Sequence, residues 1–154
     1  MKEEQTRQLE SGNVKATLQI AAEIGKKLRG GEVIELRSDL GGGKTTFVRG
    51  LVKGAGNSDW VSSPSFTLSN EYNAGSITFY HFDFYRLGEP GIMAQELAEA
   101  ISNPGSVTII EWANIVEEVL PIKRLGVQIS ANGEQKRTLV FHYPEALAYL
   151  FGDI

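Results

Sequence analysis

Cysteine is absent from all 154 residues, which removes disulfide bridges, thiolate metal sites and cysteine nucleophiles from consideration. Positive charge is not in excess either, since 15 Lys and Arg stand against 19 Asp and Glu for a formal charge of −4. Independent binding of nucleic acid needs cations clustered on phosphates, so this balance argues against it. Lys26, Lys27 and Arg29 make a small basic group, which reads as a solvated helix end. No apolar run approaches the roughly 20 residues of a membrane span. The opening Met1-Lys2-Glu3-Glu4-Gln5 is too polar and acidic for a secretory signal. A soluble, cytoplasmic protein is expected. A hydrophobic fraction of 42% suits a single domain over 1–154 with one core.

Ser11 or Asn13 can cap a helix whose apolar positions run from Val14 through Leu18, Ala21 and Ala22 to Leu28, with Gly30-Gly31 as its stop. Glu32 to Arg37 reads as a strand. The loop from Ser38 to Gly43 then leads into a helix over 44–53, with Phe47, Val48, Leu51 and Val52 inward and Gly54 closing it. Phe66 to Tyr72 and Ser76 to Phe84 are aromatic-rich strand patterns around the turn Asn73-Ala74-Gly75. A short helix over 95–101 stops at Asn103-Pro104-Gly105, and the β-branched run Val107 to Ile110 fits a buried strand. Arg124 to Ser130 and Lys136 to His142 form a second hairpin, and Leu147, Leu150 and Phe151 mark a docking helix. The expected fold is α/β: a single-domain P-loop NTPase fold with a mixed sheet flanked by helices.

The stretch Val33-Ile34-Glu35-Leu36-Arg37-Ser38-Asp39-Leu40-Gly41-Gly42-Gly43-Lys44-Thr45-Thr46 carries the functional signal. A strand enters a glycine-rich turn, the turn ends in Gly-Lys-Thr, and a helix follows at once. Polyphosphate must leave bulk water without losing its partners. Gly41, Gly42 and Gly43 offer backbone N–H groups that no Cβ obstructs, and the helix N-terminus adds positive potential. Lys44 would reach the outer phosphates and the Thr45 hydroxyl would ligate Mg²⁺, which prefers oxygen. The nucleotide-binding stretch is thus Asp39, Leu40, Gly41, Gly42, Gly43, Lys44, Thr45 and Thr46. The consensus wants glycine where this chain has Ser38. If that position needs a positive φ, serine costs on the order of 1 kcal/mol.

Such a loop also needs an acid near the metal, usually at the end of a neighbouring strand. Asp83, in Tyr80-His81-Phe82-Asp83-Phe84-Tyr85, and Glu111, after Ile109-Ile110, are the two candidates.

At these residues the chain resembles the bacterial TsaE (YjeE) family, ATPases of tRNA threonylcarbamoyladenosine synthesis. Four segments carry the resemblance: 38–51 around the phosphate loop, Ser63-Pro64-Ser65-Phe66-Thr67-Leu68, His81-Phe82-Asp83-Phe84-Tyr85-Arg86-Leu87 and Ile110-Glu111-Trp112. The resemblance implies that Lys44 and Thr45 hold triphosphate and Mg²⁺. It implies that Asp83 holds the metal directly or through water, and that Glu111 acts at the metal or orients the attacking water. Lys44, Asp83 and Glu111 would thus form the catalytic set. Trp112 would help shape the nucleotide site, and Ser63 to Thr67 would be a mobile switch with the Ser65 hydroxyl facing the metal. The implied cofactors are ATP and Mg²⁺. The implied partners are TsaB and TsaD, with tRNA met only through that complex and no membrane involved. Ser38, Gly42 and Ser65 stand where the family usually has Gly, Ala and Thr, and Ala113-Asn114 where it often has proline or an acid.

Among the other candidates, His81 and His142 read as packed or strand-end residues, and the aromatics Phe79 to Tyr85 read as core before base-stacking surface. Trp60 reads as a packing residue, and neither Arg49 nor Arg86 is clearly aimed at the site as an arginine finger. Competing functions are a nucleotide-gated binding module, in which ATP occupancy switches a partner complex, and a small-molecule kinase, which lacks an Arg-rich lid here. A GTPase would need an Asn-Lys-x-Asp motif, which the sequence lacks.

Overall fold

The computed structural model describes residues 4–38, 42–56, 69–85, 89, 91–152 and 154. Seven strands form one sheet in the order β1-β7-β6-β2-β5-β4-β3. They are β1 (Glu4–Ser11), β2 (Val33–Arg37), β3 (Ser69–Ala74), β4 (Ile77–Asp83), β5 (Ser106–Glu111), β6 (Leu125–Ala131) and β7 (Arg137–Pro144). β6, β2, β5 and β4 are mutually parallel, and antiparallel partners extend the sheet at both ends. This is the mixed α/β sheet expected from the alternation of elements.

Helices cover both faces. α1 (Val14–Gly25) and α2 (Lys44–Gly54) pack on one, over a core that includes Ile34, Leu36, Phe79, Ile109, Val127 and Phe141. On the other face, α3 (Gly91–Ser102) and the 3-10 turns of Ala113–Val119 cover Val33, Phe82 and Ile110. Strands buried on both faces read as near-continuous apolar runs, and β5 is buried at every position.

Asn13, not Ser11, caps α1, its side chain accepting from the Ala16 N–H at 2.8 Å. The helix ends at Gly25, short of the expected stop, while Gly30 and Gly31 adopt positive φ in the turn into β2. A Cβ on Gly25 would lie 2.2 Å from the Leu51 carbonyl oxygen. α2 does end at Gly54, its last helical residue, and a Cβ there would fall 2.2 Å from the Ala22 carbonyl oxygen. These glycines bring the two helices into backbone contact, and Gly56, with φ of 115°, makes the turn that follows.

Several expected boundaries also move. β1 is not among the expected elements: its residues are mostly exposed and polar, and it pairs only with β7. α3 begins a turn earlier than the 95–101 pattern. Phe66 to Leu68, assigned to the first hairpin, lie outside the described residues, and so does Trp60. The expected docking helix is a 3-10 helix over Glu145–Phe151, with Leu147, Leu150 and Phe151 buried. Among the described residues, no helix is long and apolar enough to cross a membrane.

Candidate functional site

The carboxyl ends of the four parallel strands meet along one edge of the sheet, where open α/β sheets bind their ligands. β2 delivers the chain to Ser38 there, and α2 starts at Lys44 just beyond. Gly43 is the helix N-cap with φ of 109°, a conformation glycine adopts without a Cβ penalty, and its carbonyl accepts the Phe47 N–H at 3.0 Å. Ser38 does not have a positive φ, as Trp112 alone does among the described non-glycine residues. Serine at this position therefore carries no left-handed strain.

Strand alternation places the acids. Phe79, His81 and Asp83 point to the same face of β4, as do Val107, Ile109 and Glu111 on β5, and that face carries α2. Asp83 and Glu111 are register partners, and Leu36 of β2 is opposite Glu111 on its other side. Both candidate acids thus come together in one row beside the start of α2.

Glu111 and Lys44 are nearly inaccessible, at 3% and 7% exposure, so neither charge is left to water. The Lys44 ammonium donates to the Ser38 carbonyl at 3.2 Å and stands 3.7 Å from Glu111 Oε1. The other Glu111 oxygen accepts from Nε2 of His81, a residue with no exposed surface. His81 is therefore packed, as expected, yet its polar contact is to a site carboxylate. Its Nδ1 has no hydrogen-bond partner among the described residues.

Burial, joined by the neighbouring Glu111 charge, holds the Asp83 carboxyl above its ordinary range, against the opposing influence of the Tyr85 N–H, Lys44 and His81. Its Oδ1 accepts that Tyr85 N–H at 3.0 Å. A carboxylate disfavoured by a second carboxylate is a place where a cation would relieve repulsion. Asp83 and Glu111 offer carboxylate oxygens and Thr45, the second residue of α2, a hydroxyl, the donor types that Mg²⁺ would take together with phosphate and water. Among the described residues, no group of three or more His, Cys, Asp and Glu could form a metal cage.

Trp112 follows Glu111 with φ of 57° and ψ of 54°, the left-handed region that a bulky residue rarely occupies. This turn sends the chain from β5 into the 3-10 segment and brings the indole over Lys44, whose Nζ is 4.7 Å from the ring centroid. The exposed ring of Tyr85 packs on the same indole at 4.8 Å. A crevice of about 410 Å³ opens beside Lys44 and Trp112, with Asn114, Gln128 and Ser130 along its walls. That volume lies within the range of small-molecule sites.

The remaining expected site residues, Asp39, Leu40, Gly41 and Ser65, lie outside the described residues, as does Arg86. One contributor has no counterpart among the expected residues. Arg137, at the start of β7, donates from Nε to the Gly42 carbonyl at 2.8 Å. A cation aimed at a backbone carbonyl leaves no pattern in the sequence.

The fold and this edge define the class: an α/β protein with a mixed seven-stranded sheet and a buried lysine, at the head of α2, beside the carboxyl ends of its parallel strands. The sequence pattern of the family described as threonylcarbamoyl adenosine biosynthesis protein TsaE matches residues 11–139. The chain belongs to the TsaE family. It is 38% identical over 141 residues to the tRNA threonylcarbamoyladenosine biosynthesis protein TsaE of Bacillus subtilis, covering 92% of this chain and 86% of that protein. The protein of the same name from Nostoc is 42% identical over 101 residues, covering 64% of this chain and 62% of its own length. The crystal structure of Bacillus subtilis YdiB superposes with a TM-score of 0.74 at 31% identity, over 93% of this chain and 88% of that one.

Proposed function

We propose that this chain binds Mg²⁺-ATP at the Lys44 site and hydrolyses it in support of a TsaB–TsaD pair that makes threonylcarbamoyladenosine in tRNA. The observation that carries this reading is the buried Lys44 ammonium at the head of α2, facing Glu111 with Asp83 beside it. Phosphate oxygens would take the place of Glu111 on Lys44, and the amides opening α2 would add donors. Released from Lys44, Glu111 keeps its bond to His81 and stays oriented at the sheet edge. From there it or Asp83 can hold the attacking water in line. Mg²⁺ bound by this oxygen set would neutralise charge on the phosphates. The tRNA would be met only through the partners, in keeping with the chain's negative charge.

The experiment is Mg²⁺-ATP hydrolysis by the purified chain, alone and with TsaB–TsaD. Slow turnover alone and marked stimulation by the pair is the expected result. Equal rates in both conditions, or none with ATP bound, contradict partner-activated hydrolysis.

A second reading is favoured by the engagement of both Glu111 oxygens within the chain. Occupancy must rearrange this carboxylate, so occupancy alone could switch affinity for the partner pair. A Glu111→Ala protein that binds ATP and still supports tRNA modification would establish this gated module over the ATPase.

A further inference from the structure

The Gly42–Gly43 peptide is held from behind. Its carbonyl accepts from Arg137 Nε at 2.8 Å, across 95 residues of sequence. In a planar trans peptide the C=O and the following N–H point in opposite directions. Whatever grips the Gly42 carbonyl therefore also aims the Gly43 N–H. Flipping this unit would carry φ of Gly43 from 109° into the ordinary negative region, which glycine occupies as readily. Local backbone energetics thus leave both orientations open, and only one presents an N–H, not a carbonyl oxygen, to an anion before α2.

Arg137 is itself rigidly held. Its Nη1 donates to the carbonyls of Gly133 at 3.1 Å, Lys136 at 2.8 Å and, more distantly, Glu134 at 3.4 Å. These lie in the β6–β7 turn, which the Asn132 N–H closes onto the Lys136 carbonyl. The guanidinium is thus fixed by its own hairpin before it reaches the loop, and a planar fork suits two fixed acceptor sets better than a flexible ammonium. Among the described residues its hydrogen bonds all go to backbone carbonyls, and no carboxylate competes for it.

We propose that Arg137 is a positioning residue: it locks the Gly42–Gly43 peptide so that the Gly43 N–H is available to phosphate. The use of that N–H rests on the phosphate reading of the site, whereas the lock itself does not. Arg137 acts through the loop backbone. Its loss should therefore weaken every nucleotide whose phosphates reach that amide, ATP and ADP alike.

The test uses the full ¹⁵N-labelled chain. The three-bond coupling pattern between the Gly43 amide proton and its two α protons reports φ of Gly43 in the free protein, which a flipped peptide would change, with no nucleotide needed. Arg137→Met, which keeps the stem and removes the donors, should change this coupling while those of β2 and β5 hold. Arg137→Ala should do the same, so a folding failure of one variant leaves the other to report. Arg137→Lys restores one donor and should return the coupling toward the wild-type value. Mg²⁺-ATP and ADP affinities of the Met or Ala variant should fall together by about ten- to a hundredfold. An unchanged Gly43 coupling overturns the proposal. So does a loss confined to ATP, which would make Arg137 a charge on the terminal phosphate. Wild-type protein that binds neither nucleotide would instead refute the phosphate reading, while the coupling would still decide the peptide lock.

Discussion

The Glu111 carboxylate and the Lys44 ammonium face each other across 3.7 Å at the end of β5 and the start of α2. Removal of either partner would leave a nearly buried charge, which is why the pair belongs to the fold as much as to the chemistry. His81 completes the arrangement by holding the second Glu111 oxygen.

The His81→Ala protein should therefore lose stability twice, through a cavity under the sheet edge and through a carboxylate oxygen stripped of its donor. We expect a loss of roughly 2–4 kcal/mol. Urea unfolding checks this, and a shift below about 1 kcal/mol would mean that Glu111 finds another donor.

Asp83 gives a pH dependence with a definite sign. Its native pKa is raised above the unfolded value by burial first and by Glu111 second. Such a group favours the native state below its unfolded pKa, and that contribution is lost as pH rises through the native pKa. Above its native pKa it is ionised in both states and its burial opposes folding. Asp83→Asn should melt at a higher temperature than the wild type at neutral pH without metal, and the gap should narrow as pH falls into the carboxyl range. Thermal melts across pH read this directly. A lower melting temperature for the Asn variant at neutral pH would contradict it.

Gly54 tests the contact between α1 and α2. An added methyl would stand 2.2 Å from the Ala22 carbonyl oxygen, a backbone atom that cannot move alone. Gly54→Ala should cost about 2–3 kcal/mol by overpacking. Gly12→Ala, with nothing within 4 Å of the new carbon, should change stability by less than about 0.5 kcal/mol. Similar unfolding midpoints for the two variants would show that the helices are not held in this contact.

Ser38→Gly restores the consensus residue yet should bring no gain. Ser38 carries no positive φ, so glycine relieves no strain and adds freedom to the unfolded chain. Unchanged nucleotide affinity and a loss of up to about 1 kcal/mol in stability are expected. Tighter binding by the variant would show that serine distorts the loop.

These sites differ in how far the sequence announces them. β2, α2 and β5 are legible because burial on both faces or along one helical stripe repeats at fixed spacing. The glycine turn is legible because a strand before it and a Lys-Thr helix start after it seldom coincide without a phosphate to bind. Asp83 and Glu111 stand out as strand-end acids, but their common row follows from the β4–β5 register, which is set by pairing across the sheet. β1 is hidden because an edge strand with both faces largely wet needs no apolar alternation. Gly54 reads only as a helix end and Gly25 carries no signal, since a glycine required by a neighbouring backbone looks in sequence like one required by a turn or by nothing. His81 looks like core and is core, and its bond to Glu111 emerges only once the strands are paired.

In the proposed function Lys44 holds the phosphates of a nucleotide. Calorimetric titration of Mg²⁺-ATP into the wild-type chain and into Lys44→Met tests it most directly, because Met keeps much of the buried stem while removing the charge. Saturable 1:1 binding by the wild type and a loss of at least about a hundredfold in the variant are expected. Equal affinity in the two proteins would contradict this role and move the phosphate site away from the head of α2.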